Sequence, residues 1–329
     1  MSASSQVLCL TLAAREVPCL EAIASAFGRP VVWMPPGSSR WRRLPSAMRG
    51  VRLRRGSLRY AMHYCAAACD LLNRAASAWL RTQVEAPRLI LTASTYIDLT
   101  ADVACPVVCV TDLAPSEVHW PWLRRFLRRP FFERWMQMVR RNMKRYDLTI
   151  FQTEWARRAA VASGLARERT WVLGSWPPVL SDQEPDTHSD RYAARRVLFV
   201  GGSAPYKGGH VLLEAFGLLQ DRGVSAELHI AGGWRGRVPN SGVHVHGFLP
   251  PADLGRLMEE CSVLVQPSLF DLSPRAVSDA QSFGLPVIAS RVCGIPEDVD
   301  EGTTGLLVEP GEPEELAEAL ESLLANPER

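Results

Sequence analysis

Between Cys261 and Ser290 the chain reads CSVLVQPSLFDLSPRAVSDAQSFGLPVIAS, and this stretch restricts the fold more than any other. Its apolar run Val263–Val265 stops at Pro267-Ser268, as a buried strand does at the edge of a sheet. A loop carrying Asp271 follows, then a helix carrying Asp279 that closes at Gly284. The next apolar run, Pro286–Ala289, begins directly afterwards. Strand, loop, helix and strand in that order make a βαβ unit, and a ligand meets such units at the carboxyl ends of their strands. Two carboxylates, one in the loop and one about a turn into the helix, can both face that crevice.

The same alternation runs along most of the chain. Strands are expected at Val7–Leu12, Pro30–Met34, Leu89–Ala93, Pro106–Val110, Leu148–Gln152 and Thr170–Leu173. Helices are expected at 18–27, 58–81 and 122–145, the last with Pro130 starting or breaking it, and at Glu154–Ala162, capped by Thr153 and ended by Gly164. From Trp176 to Arg195 the pattern fails among Pro177, Pro178, Pro185 and several Asp, which reads as a linker. Strands then resume at Val197–Val200, Glu227–Ala231, His244–His246, Val263–Gln266, Pro286–Ala289 and Gly305–Val308. Helices lie between them at His210–Leu219, Pro251–Cys261 and Arg275–Phe283, and a last one at Pro313–Leu324. Alternating strands and helices mean an α/β fold with parallel sheets, and 329 residues exceed what one core usually organises. The expected division is a domain over 1–176, a linker over 177–195 and a domain over 196–329.

A second motif stands at the start of that second domain. In Val197-Leu-Phe-Val-Gly-Gly-Ser-Ala-Pro-Tyr-Lys-Gly-Gly-His210 a strand runs into a glycine-rich loop and a helix begins just beyond. Gly201 and Gly202 let backbone approach a ligand closely, the helix N–H groups attract an anion such as a diphosphate, and Lys207 adds a full positive charge. Taken alone, the loop reads equally as a tight βα turn with a solvated lysine.

Together these residues resemble the nucleotide-binding half of retaining GT-B glycosyltransferases, the glycosyltransferase family 4 or "glycosyl transferases group 1" family. The resemblance rests on Pro267-Ser268, Asp271, Ser273-Pro274-Arg275, Asp279 and Gly284-Leu285-Pro286-Val287-Ile288-Ala289-Ser290, with Gly201-Gly202 and Lys207-Gly208 upstream. Gly294-Ile-Pro-Glu297, before Asp298-Val-Asp300, belongs to it as well. The family's usual acidic pair is Glu and Glu; here both are Asp, and a frequent arginine in the first loop is glycine. The resemblance implies two Rossmann-like domains with parallel sheets facing across a cleft, the first for the acceptor and the second for a nucleotide-activated sugar. It assigns Asp279 to the ribose hydroxyls, Asp271 to the donor sugar, and Gly201, Gly202 and Lys207 to the diphosphate, with Ser273 and Arg275 in the surrounding loop. It further implies transfer with retention of anomeric configuration and without a divalent metal or other cofactor, the nucleoside-diphosphate sugar being a co-substrate.

The first half matches more thinly. Family members place His or Asp after the strand read at Pro106–Val110, which points to Asp112 as a contact to the sugar or a helper in deprotonating the acceptor. A strand-end Asp capping a turn reads equally well. His119 is a further catalytic candidate or a structural histidine. Asp147–Gly164 resembles the family's strand and helix before the crossing to the second domain.

Net charge is +2, which gives nucleic-acid binding no support. Eight cysteines without Cys-x-x-Cys spacing, among them Cys65/Cys69 and Cys105/Cys109, read as buried thiols, not as a disulfide framework or metal site. No signal pattern and no spanning run is seen, so a cytoplasmic protein is expected. Basic residues crowd Arg40–Arg55 and the Trp- and Phe-bearing segment Trp120–Arg145. That second segment reads as a helix packed on the core, or as a surface for anionic lipid headgroups peripheral to the inner face of the plasma membrane. The acceptor is expected to be a glycan, a lipid-linked or a small molecule. Two rivals stand beside the transferase: a catalytically inactive partner subunit of the same fold, suggested by the Asp/Asp pair, the absent arginine and the end at Arg329, and a nucleoside-diphosphate-sugar epimerase.

Overall fold

The structure, a computed structural model, describes residues 7–10, 31–33, 77–78, 87, 89–93, 95, 103–116, 119, 121, 129–174, 180 and 190–325. The helix expected at 18–27, most of that at 58–81, the basic stretch Arg40–Arg55, Cys65, Cys69 and residues 122–128 and 181–189 lie outside these. The chain divides into two compact units, Met1–Gly174 and Ser175–Arg329.

The first unit holds a six-stranded sheet in which every described neighbour pair is parallel. Its strands are β1 (Val7–Leu10), β2 (Val31–Trp33), β3 (Leu89–Thr92), β4 (Val107–Thr111), β5 (Leu148–Phe151) and β6 (Thr170–Val172), in the order β2-β1-β3-β4-β5-β6. Apolar runs such as Ile90-Leu91 and Cys109-Val110 are buried, the signature of a sheet covered on both faces. Helix α1 is described over Arg129–Arg145 and includes Pro130. Phe132, Trp135, Met136, Val139 and Met143 recur at helical spacing and are buried, whereas Arg134, Arg141, Lys144 and Arg145 are exposed. Helix α2 (Glu154–Ala162) is capped as expected: Thr153 Oγ1 accepts from the Ala156 N–H at 3.2 Å, and Gly164, at φ +92°, ends it.

In the second unit β7 (Arg196–Val200), β8 (Glu227–Ala231), β9 (Val243–Gly247), β10 (Val263–Gln266), β11 (Val287–Ser290) and β12 (Gly305–Val308) form a parallel sheet ordered β12-β11-β10-β7-β8-β9. A short helix α3 (Asp190–Ala193) occupies part of the expected linker. Its Arg191 donates to the carbonyls of Phe283 and Gly284 at 2.7 and 2.8 Å, closing the carboxyl end of α6 (Arg275–Ser282). α4 (Gly209–Asp221) and α8 (Pro313–Ala325) cover one face of this sheet. α5 (Pro251–Glu260) and α6 cover the other, and α7 (Ile295–Asp298) follows β11.

Candidate active site

β7 and β10 are hydrogen-bonded neighbours, with Val197 opposite Val263 and Leu198 opposite Leu264. Strand order reverses between them: from β7 the sheet grows through β8 and β9, from β10 through β11 and β12. α4, which follows β7, buries Val211, Leu212, Ala215, Phe216 and Leu219 on one face; α6, which follows β10, buries Val277 and Ala280 on the other. The loops leaving the two strands therefore part to opposite faces, and open α/β sheets take ligands in the crevice this creates.

Several contacts lock those loops together. The Leu269 and Phe270 N–H groups both donate to the Tyr206 carbonyl, at 2.8 and 3.2 Å. Gly208, at φ +71°, precedes α4, and a Cβ there would stand 1.7 Å from the Pro267 carbonyl oxygen, so no other residue fits. Gly232, at φ +128°, brings a third loop, after β8, against the first: its Cβ would fall 2.3 Å from the Gly201 oxygen. Across the crevice Lys207 Nζ donates to Asp271 Oδ2 at 2.6 Å, with the side chains 25% and 15% exposed. Ser268 Oγ reaches the same oxygen at 3.4 Å and accepts from Gln266 Nε2 at 2.8 Å. Lys207 also lies 5.8 Å from the Tyr206 ring centre.

The remaining expected donor residues lie on the loops after β7 and β10 and on α6. Gly201 N–H continues the ladder to Ala231 O at 2.8 Å, and Gly202 lies against the Gly233 carbonyl. Asp279 is on α6 and 6% exposed. Arg275 opens that helix and is half-buried. Ser273 donates its Oγ to Asp298 Oδ2 at 3.1 Å, which engages one acid of Asp298-Val-Asp300 within the loop scaffold. Behind Asp271, Gly294 N–H donates to Leu272 O at 3.1 Å, and burial pushes the Cys293 thiol up to about 12. A cavity of about 230 Å³ lined by Ser262, Val263, Pro286 and Thr304 opens at the opposite, amino-terminal ends of the strands, away from this ion pair.

In the first unit Asp112 follows β4 and is half-buried, beside Thr111, whose Oγ1 accepts from the Leu113 N–H at 3.0 Å. His119 is 1% exposed. Its Nε2 donates to Ala114 O at 2.8 Å, and its ring meets Trp135 edge-on at 5.6 Å. Burial holds the imidazole neutral, lowering its pKa to about 4. Among the described residues no helix is long and apolar enough to cross a membrane.

Sequence reading brought Gly201, Lys207, Asp271 and Asp279 to one end of one sheet. It missed Tyr206, whose backbone carbonyl joins the loops, and Gly232. The latter had a signal, since Ala231-Gly-Gly-Trp234 repeats the strand-then-glycine pattern of Val200-Gly-Gly-Ser203.

Known proteins are similar to this chain in the sequence of its second unit and in its fold. Residues 194–326 match the family model for glycosyl transferases group 1. A D-inositol 3-phosphate glycosyltransferase of Corynebacterium glutamicum is 35% identical over 148 residues, covering 40% of this chain and 35% of that protein. An alpha-D-kanosaminyltransferase of Streptomyces kanamyceticus is 32% identical over 148 residues, 40% of this chain and 37% of that protein. The matched part thus spans about a third of these relatives. Over nearly the whole chain the fold is similar to that of Anabaena HepE, solved with UDP-glucose (TM-score 0.65, 19% identity, 98% of this chain and 90% of that one). It is likewise similar to sucrose-phosphate synthase from Thermosynechococcus elongatus (TM-score 0.71, 17% identity, 98% and 90%). Residues 194–326 therefore match the glycosyl transferases group 1 model, in a chain with the GT-B fold of two parallel-sheet, Rossmann-like halves.

Proposed function

We propose that this chain is a retaining glycosyltransferase that moves a sugar from a nucleoside-diphosphate sugar to a hydroxyl of a glycan, lipid-linked or small-molecule acceptor. The observation that carries the reading is the Lys207–Asp271 ion pair, which sets a cation and a carboxylate side by side at the switch point of the second sheet. Cleavage of the sugar–phosphate bond leaves negative charge on the phosphate and positive charge on the sugar ring. Fixed donors aimed at the phosphate then supply the largest catalytic contribution. In this reading the diphosphate lies over Gly201-Gly202 and the amino end of α4, and draws Lys207 away from Asp271. Asp271, released, faces the sugar, while Asp279 accepts from the ribose hydroxyls. Retention follows if the acceptor hydroxyl arrives on the side the phosphate leaves, with a phosphate oxygen taking its proton.

HepE is solved with UDP and with UDP-glucose, so UDP-sugars head the donor panel, followed by GDP-, ADP- and dTDP-sugars. Slow donor hydrolysis without acceptor is the expected result, and the anomeric form of the released sugar, read by NMR, tests retention. Binding of a donor with none of the panel consumed would refute transfer and leave a binding subunit. An anionic membrane would meet the exposed Arg134, Arg141, Lys144 and Arg145 of α1, while the aromatic side chains Phe132 and Trp135 face the core. That contact is therefore electrostatic over 129–145 and should disappear at high salt in vesicle sedimentation.

A further inference from the structure

β9 is an edge strand and carries His244-Val-His246, whose two histidines leave the strand on one face. Glu227 and His229 share a face of β8 in the same way, and His229 pairs with His244 in the ladder. The three imidazoles stack: His229 lies 4.9 Å from His244 and 5.2 Å from His246, centre to centre. His229 is 8% exposed, and its Nδ1 is 3.0 Å from His246 Nε2. Its other nitrogen, Nε2, is buried without a hydrogen-bond partner and stands 3.5 Å from Glu227 Oε2. One ligand atom each from Glu227, His229 and His244 lie within 4.8 Å of one another.

We propose that Glu227, His229 and His244 form a site for a borderline divalent transition metal such as Zn²⁺, with His246 orienting His229 from behind. Zinc–nitrogen and zinc–oxygen bonds of roughly 2.1 Å make a tetrahedral edge of about 3.4 Å. The 3.5 Å between His229 Nε2 and Glu227 Oε2 already has that length. His244 is exposed, so its ring can close the remaining distance without disturbing the core. Two imidazoles and a carboxylate suit zinc and not magnesium or calcium, and the fourth position opens to water. Ligation through Nε2 needs the His229 proton on Nδ1, where it donates to His246 Nε2, the arrangement second-shell partners of ligating histidines adopt. Arg196 faces the cluster, with Nε 3.1 Å from Glu227 Oε2 and Nη1 3.4 Å from Glu260 Oε2. The bound ion shares the Glu227 carboxylate with Arg196, and Glu260 holds that guanidinium in place.

The ion would pin β9 to β8 just before the Gly232 N–H donates to the Gly247 carbonyl at 2.6 Å. Competition between the full chain and a chromophoric chelator for Zn²⁺ tests the site, with Co²⁺ substitution reporting coordination geometry. One equivalent per chain is expected, with the intense visible bands of tetrahedral Co²⁺. His244→Ala should weaken Zn²⁺ at least tenfold, and His246→Gln by about tenfold, the low end for a lost second-shell partner. Stoichiometric binding that survives His244→Ala unchanged would place the metal on other side chains and overturn the proposal. Failure of the wild-type chain to take up an equivalent would overturn it as well.

Discussion

Neutralising the two members of the Lys207–Asp271 pair should move nucleoside-diphosphate affinity in opposite directions. At 2.6 Å, in a setting 15–25% exposed, the pair is close enough that its Coulomb attraction is about 6 kcal/mol at an effective dielectric of 20. Desolvation and side-chain ordering offset most of this, leaving a net contribution of about 1.5–3 kcal/mol for a hydrogen bond to a charged group. A diphosphate must take Lys207 from Asp271 before it can use the ammonium. Lys207→Ala takes the ammonium away from the diphosphate, and a hydrogen bond to a charged group of about 1.5–3 kcal/mol makes the Kd for UDP rise about 10- to 150-fold, at 1.4 kcal/mol per decade. Asp271→Asn removes the competing carboxylate while keeping the shape of the loop. UDP should then bind more tightly, by up to about tenfold, although sugar transfer falls because the carboxylate facing the sugar is gone. Titration calorimetry with UDP on the wild type and both variants reads all three values. If Lys207→Ala leaves UDP affinity unchanged, the diphosphate does not engage Lys207 and the proposed donor pocket is wrong; if Asp271→Asn weakens UDP, the carboxylate does not compete with the diphosphate for the ammonium.

The remaining expectations concern stability. Gly208→Ala places a Cβ against the Pro267 carbonyl and forces an L residue to φ +71°, where the backbone cost alone is about 1–2 kcal/mol. Its melting temperature should drop by several degrees, and an unchanged value would show that the two loops are not in contact. Thr153→Ala should cost about 1 kcal/mol in urea denaturation by loss of the α2 cap, and leave UDP affinity untouched. His119 has a folded-state pKa of about 4 against an unfolded value near 6.5, so the unfolded chain binds the extra proton between those values. Stability is therefore intact above pH 6.5 and declines as pH falls towards 4, by up to about 3 kcal/mol from this residue. His119→Gln should flatten that part of the pH–stability curve; an identical slope in the variant would mean that the ring is not buried neutral.

The strands and helices of the second domain were legible in the chain because period and punctuation agree there. Val263–Val265 and Val287–Ala289 are apolar throughout, Gly208 and Gly284 stand at helix boundaries, and local sequence dictates both. Gly201, Lys207, Asp271 and Asp279 could be nominated for the same reason, each following a strand by a set offset. Which nominated groups touch was decided by strand order. β7 and β10 are adjacent although β8 and β9 lie between them in the chain, and only that pairing puts Lys207 within hydrogen-bond distance of Asp271. The inward side of α1 likewise needed the fold: Phe132 and Trp135 are buried because the first unit offers them a surface. His229, His244 and His246 gave little sign of one another in the sequence, because a stack across neighbouring strands depends on register, and register is set by the packing of whole sheets.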